Sequence, residues 1–182
     1  MAGNMVGNLP GPSGVTQSNR VRCMNTNPDH PNRIEPGKRP RITLTPTLVT
    51  NEDGKPVIAI SVAGGDLQEQ TTLNLLMNYI HYGMSAAEAV VAPRFSTKHH
   101  EDTFDPNPDR TLAFLEAASL ELDNREDIAT RAEALSALGH KVTVAPKPKN
   151  IANPVMITID PKTGRLQAAG DPLAQRHAAA LP

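Results

Sequence analysis

Pro56-Val57-Ile58-Ala59-Ile60-Ser61-Val62-Ala63-Gly64-Gly65-Asp66-Leu67-Gln68-Glu69-Gln70 is the stretch on which the fold turns. Its first seven residues are apolar almost throughout, which predicts a strand over Pro56–Val62 buried on both faces. Gly64-Gly65 ends that run. Asp66 is then placed to cap a helix over Leu67–Tyr82, in which Leu73, Leu76, Met77 and Ile80 recur at helical spacing. Gly83 supplies its stop. Two readings of the glycine pair stay open. It can be a tight turn that brings helix and strand close together. It can also direct two backbone N–H groups toward one point, the raw material of an oxyanion hole.

Working outward, Thr43–Thr50 is rich in β-formers and Asn51-Glu52-Asp53-Gly54-Lys55 reads as a turn, so 43–62 is expected to be a hairpin. Residues 1–42 read as coil punctuated by Gly, Pro and Asn, with strand character only at Gly14–Val21. A covered irregular segment of that length is uncommon in a compact domain. It is either functional or lies over a surface supplied by something else. The expected division is therefore an irregular N-terminal segment, 1–42, and a domain, 43–182. Downstream, Ser85 and Glu88 form a capping-box pair for a short helix that ends before Pro93. Residues 94–110 are loop-like, and Thr111–Ala118 is ambiguous between strand and helix. Arg125–Leu138 reads as a helix with Ala132, Leu135 and Leu138 on one face. Val142–Ala145, Val155–Ile159 and Leu166–Ala169 read as strands. Clustered strands with helices between and after them predict an α+β layered domain.

A chain of 182 residues can bury a real core. With 3% aromatic residues and no Trp, that core must be aliphatic. Eighteen basic against 19 acidic residues leave no electrostatic footprint for nucleic acid. There is no basic start followed by an apolar run, and no apolar run of roughly 18 residues, so neither a leader nor a membrane span is expected; the compartment stays unknown. Cys23 is the sole cysteine and cannot form an internal disulfide. His99-His100-Glu101-Asp102 is adjacent rather than spaced for metal ligation, and reads as a solvated loop. The glycine pair lacks the rest of a phosphate or dinucleotide fingerprint. No GxSxG elbow is present.

Several motifs together resemble one family. Gly37-Lys38-Arg39-Pro40 with Thr43 and Pro46, the loop Gly64-Gly65-Asp66-Leu67-Gln68-Glu69-Gln70, Ala92-Pro93-Arg94, Gly139–Val142, the turn Asp160–Gly164 and Asp171-Pro172 resemble the small, C-terminal subunit of γ-glutamyltransferases over roughly residues 9–177. "NPDHPN" and "GGDLQEQ" look more like the bacterial acylase-like branch than the glutathione-specific one. The resemblance implies a partial N-terminal-nucleophile (Ntn) hydrolase αββα sandwich. It implies amide hydrolysis and acyl transfer of the γ-glutamyltransferase and glutathione hydrolase kind, with a small-molecule amide substrate and no cofactor or metal.

In that family, self-cleavage frees an N-terminal Thr whose hydroxyl is the nucleophile and whose own amine is the base. The resemblance implies that this Thr lies upstream of Met1, so that the chain by itself is expected to be inactive. The expected partner is the large subunit or the missing N-terminal segment of the same enzyme; neither a nucleic acid nor a membrane is expected. Thr16 is the weak substitute candidate. Gly64 and Gly65 correspond to the family's oxyanion-hole pair, and Thr43 to a position that contacts the α-carboxylate of the substrate. Near Arg20, where the family has a Gln and then an Asp for the substrate's α-amine, the sequence "QSNRVRCM" offers no carboxylate. The resemblance thus implies substrate binding by Thr43 and Arg20, with an acyl group lacking the amine as plausible as γ-glutamyl. The alternative is a catalytically inactive remnant serving as a binding module, or one half of a split enzyme.

Overall fold

The computed structural model describes Pro12, Gly14 and residues 20–146 and 152–177. Thr16 and most of the strand expected at Gly14–Val21 lie outside these residues. The end of that expected strand is instead a 3-10 turn, Arg20–Cys23. The chain divides into two compact units, one drawn from Met1–Leu44 and Lys98–Ala117, the other from Thr45–Thr97 and Ala118–Pro182.

Among its described residues the first unit has little regular structure and many polar bonds. Asn25 is fully buried. Its N–H donates to the Asn32 carbonyl (2.8 Å), and its own carbonyl accepts from Ile34 N–H (3.0 Å). Asn27 Nδ2 donates to the Pro108 carbonyl at 3.2 Å, tying the loop to residues 104–110. Irregular backbone is tolerable here because side-chain amides replace a sheet ladder.

In the second unit, β1 (Thr47–Thr50), β2 (Pro56–Ala63), β6 (Asn153–Ile159) and β7 (Leu166–Gly170) form an antiparallel sheet in the order β1-β2-β6-β7. The expected first strand is shorter than 43–50, because Pro46 has no N–H to give the ladder and pairing begins at Thr47↔Ile60. Helix α1 (Gln68–Leu76) runs into a π turn, Met77–His81. Gly83, at φ 68°, ends it. Helix α2 (Ala86–Val91) carries the expected capping box. Ser85 donates its backbone N–H and hydroxyl to the Glu88 carboxylate, which holds that carboxyl below its ordinary range. This cap persists above the usual Glu pKa and is lost as pH falls through the lowered value.

A second sheet, ordered β3-β4-β5, joins β3 (Phe95–Ser96), β4 (Ser119–Leu122) and β5 (Lys141–Val144). β4 and β5 run parallel, joined through α3 (Ile128–Ala137), which is shorter than the expected 125–138. Leu138, expected on the buried face of α3, is 78% exposed. The ambiguous stretch Thr111–Ala118 holds the end of the turn Arg110–Leu112 and a single bridge from Phe114 to Glu101.

The core lies on one face of the larger sheet. Ile58, Ile60 and Val62 of β2 and Met156 of β6 meet Leu75 of α1 and Ala86, Ala89 and Val90 of α2. Two expectations are corrected. β2 is not buried on both faces but alternates. The buried stripe of α1 is Gln68, Thr71, Thr72 and Leu75, whereas Leu73, Met77 and Ile80 are exposed. Of the expected stripe Leu76 packs against the core, so spacing locates the helix but misplaces the other three residues.

Arg94 fastens this unit. Its Nη2 meets Asp171 Oδ2 at 2.5 Å with both side chains almost fully buried. Its Nη1 donates to the Val90 carbonyl at 2.6 Å, and its backbone N–H to Asp123 Oδ2 at 3.2 Å. Asp171 Oδ1 also accepts from Leu173 N–H at 2.9 Å. The end of α2 and the end of β7 therefore share one ion pair.

Two outcomes are expected. Arg94→Ala strands a buried carboxylate and should cost about 3–5 kcal/mol in chemical denaturation; a loss under about 1 kcal/mol would show the pair to be incidental. The far face of the larger sheet carries the cross-strand row Leu48, Ala59, Ile157 and Ala168, in which Leu48 is 64% and Ile157 42% exposed. The 182-residue polypeptide should therefore self-associate or bind a hydrophobic dye. Sedimentation as a compact monomer without dye binding would contradict this.

Candidate active site

The residues singled out from sequence fall in both units, and each group is described by itself. In the second unit, Gly64 and Gly65 follow β2 directly. Gly64 is extended, at φ 170°, a conformation open to any residue. What excludes a side chain is space: a Cβ there would lie 2.5 Å from Ala152 Cβ and 3.1 Å from Ala152 Cα. Gly65 sits at φ 60°, in the left-handed region. One glycine is required by a neighbour, the other by its own backbone.

Their carbonyls are committed to the helix start. Leu67 N–H donates to Gly64 O at 3.2 Å, and Gln68 N–H to Gly65 O. Among the described residues, neither glycine N–H has an acceptor. Asp66 does not cap α1 as expected. It lies inside the 3-10 turn Gly65–Leu67, and Leu67 takes the cap position of α1 without a side-chain bond.

Two glutamines that sequence reasoning passed over hold this loop. Thr45 Oγ1 lies 2.9 Å from Gln68 Oε1. Gln70 bonds the Thr97 backbone twice, accepting from its N–H at 2.8 Å and donating to its carbonyl at 3.0 Å, and it also donates to Asp66 O at 3.2 Å. The signal was in "LQEQ": positions 68 and 70 both open the helix beside the glycines.

In the first unit, Arg20 and Thr43 are brought together. Arg20 Nη2 donates to Thr43 Oγ1 at 3.1 Å, and Nη1 lies 3.8 Å from Cys23 Sγ. The Arg20 guanidinium also covers the Phe104 ring, 5.3 Å from its centroid, a cation–π contact that the sequence did not announce. Arg20 is 4% exposed. The His99–Asp102 run is occupied internally: His99 packs edge-on against Phe114, and Glu101 pairs with Arg110. Among the described residues no cluster has the makings of a metal site.

Residues 10–181 match the sequence model of the Gamma-glutamyltranspeptidase family. The chain is 27% identical over 168 residues to the glutathione hydrolase proenzyme of Bacillus subtilis (strain 168), covering 92% of this chain and 25% of that protein. It is 29% identical over 167 residues to the oxamate amidohydrolase proenzyme of Klebsiella pneumoniae, covering 92% and 29%. It thus spans less than a third of the length of either. Among solved structures it superposes on the cephalosporin acylase of Bacillus halodurans with a TM-score of 0.70 and 26% identity, over 88% of this chain and 26% of that one. The structural neighbours are Ntn hydrolases, and the chain shares their mixed α+β fold. The chain belongs to the gamma-glutamyltranspeptidase family.

Proposed function

We propose that this chain supplies part of the machinery of an acyl-transferring amidohydrolase of the γ-glutamyltransferase kind. The observation that carries the reading is the diglycine loop: two adjacent N–H groups, both without acceptors among the described residues, at a strand-to-helix junction where no side chain fits at Gly64. In amide cleavage, a hydroxyl nucleophile adds to the carbonyl carbon and the oxygen becomes an anion. Gly64 and Gly65 N–H donate to that oxygen. The C–N bond then breaks, the amine leaves with a proton, and water or a second amine takes the acyl group from the enzyme. Backbone donors suit this role because they are fixed by the fold and need no reorganisation.

In this reading Thr43 and Arg20 bind the acyl end of the substrate. The nucleophilic Thr and its amine base come from a segment or large subunit outside the 182 residues. The chain's small share of its relatives' lengths supports this, as does the naming of both relatives as proenzymes. No cofactor or metal takes part. Glutathione hydrolase and oxamate amidohydrolase have amide cleavage in common, and that is the level at which the reaction is assigned.

The 182-residue polypeptide is expected to show no turnover of γ-glutamyl or related anilides, and to gain it when assembled with the large subunit and a segment bearing a free N-terminal Thr. In that assembly Gly65→Val should cost about 10²-fold in kcat, the effect of losing one oxyanion donor. Gly54→Ala is the control, because Gly54 has a similar φ of 77° with nothing within 4 Å. Undiminished activity in Gly65→Val would defeat the role of the loop. Failure of assembly to yield any turnover would favour an inactive binding module.

A further inference from the structure

We infer that Gln70 is a positioning residue of the diglycine loop, and that its side-chain amide sets the direction in which the Gly65 N–H points. This rests on the reading of that N–H as an oxyanion donor, and deepens it.

The two glycines do not hold a direction by themselves. Gly65 stands at φ 60°, and without a Cβ neither residue restricts the peptide planes around it. A donor to a developing anion has to be fixed before the charge appears. The bonds around the loop supply that constraint. A trans peptide is one rigid plane, in which the carbonyl of one residue and the N–H of the next point opposite ways. The Asp66 carbonyl accepts from Gln70 Nε2 at 3.2 Å. The opposite edge of that plane is Leu67 N–H, which donates to Gly64 O at 3.2 Å. The opposite edge of the Gly64 carbonyl's plane is Gly65 N–H. Two rigid planes joined by one hydrogen bond therefore lead from the Gln70 amide to the donor.

Gln70 is itself held in place. Its Oε1 accepts from Thr97 N–H at 2.8 Å, and its Nε2 donates to the Thr97 carbonyl at 3.0 Å. Both Nε2 hydrogens are thus engaged, one by Asp66 and one by Thr97. Turning the amide over would set nitrogen against the Thr97 N–H and oxygen against two carbonyls, so a single orientation satisfies all three partners. Thr97 follows β3 directly, and its hydroxyl donates to the carbonyl of Ser119, the first residue of β4, at 2.6 Å. The smaller sheet thereby anchors a loop that leaves the larger one.

The test uses the enzyme assembled with its large subunit and the Thr-bearing segment. Gln70→Leu should lower kcat by about ten- to a hundred-fold and leave KM within about two-fold, because an oxyanion donor acts on the transition state more than on bound substrate. Gln70→Glu keeps the size and the acceptor for Thr97 N–H, but at neutral pH its carboxylate has no hydrogen for Asp66 O or Thr97 O. It should lose a similar factor, and it supplies the check should Gln70→Leu fail to fold. Ser85→Ala, which removes the cap of α2, is the control for stability alone: its unfolding midpoint should fall with kcat unchanged. In the 182-residue protein, amide exchange at Leu67 should be about ten-fold faster or more in both Gln70 variants and unaltered in Ser85→Ala. Wild-type kcat in the Gln70 variants, a loss that appears in KM alone, or unaltered Leu67 exchange overturns the inference and leaves the glycine pair as donors. If Gly65→Val is itself without effect, or the assembly shows no turnover, the donor reading fails and the role of Gln70 with it.

Discussion

A Cβ on Gly64 would stand 2.5 Å from that of Ala152. That missing atom permits the arrangement around the loop. Ala63 pairs with Asn153 across β2 and β6, and one residue later the two backbones come close enough that only hydrogen fits. The chain can then turn at Gly65 and enter α1 at once. The helix lies back over Ile58, Ile60 and Val62, with Leu75 fully buried against them. The core packing and the position of the glycine pair are consequences of the same close approach.

The parts of the fold legible in sequence were those set by local chemistry. The Ser85–Glu88 box, the stop at Gly83 and the strands expected at 56–62, 155–159 and 166–169 follow from caps, turn residues and apolar runs, and the observed strands extend them by one or two residues. The illegible parts depended on what covers each surface. Leu73, Met77 and Ile80 have the spacing of a core stripe, yet Thr71 and Leu75 are the residues that face the sheet. β2 looks buried on both faces by composition, yet its fully buried residues, Ile58, Ile60 and Val62, lie on one face. In both cases the sequence records apolar surface without saying which neighbour meets it. The association of Lys98–Ala117 with Met1–Leu44 was hidden because side-chain and backbone bonds far apart in sequence hold it.

The candidate site divides in the same way. Gly64 and Gly65 could be read as either a packing turn or a donor pair, and the structure gives each a distinct steric reason while leaving both N–H groups without acceptors among the described residues. Arg20 and Thr43 were named through resemblance, and they do share a hydrogen bond. Residue type alone could not show that Arg20 would be buried over Phe104, because packing is a property of the fold. Gln68 and Gln70 stand inside the GGDLQEQ motif, but sequence assigns them no role, because their partners Thr45 and Thr97 are distant in the chain.

The most direct measurement is a structure of this chain assembled with its complementary subunit and trapped with a boronate that mimics the tetrahedral adduct. Gly64 N and Gly65 N should each lie about 2.7–3.1 Å from the boronate oxygen that stands for the oxyanion. A boronate oxygen held by other donors, with both glycine N–H groups turned to solvent, would contradict the role assigned to the loop.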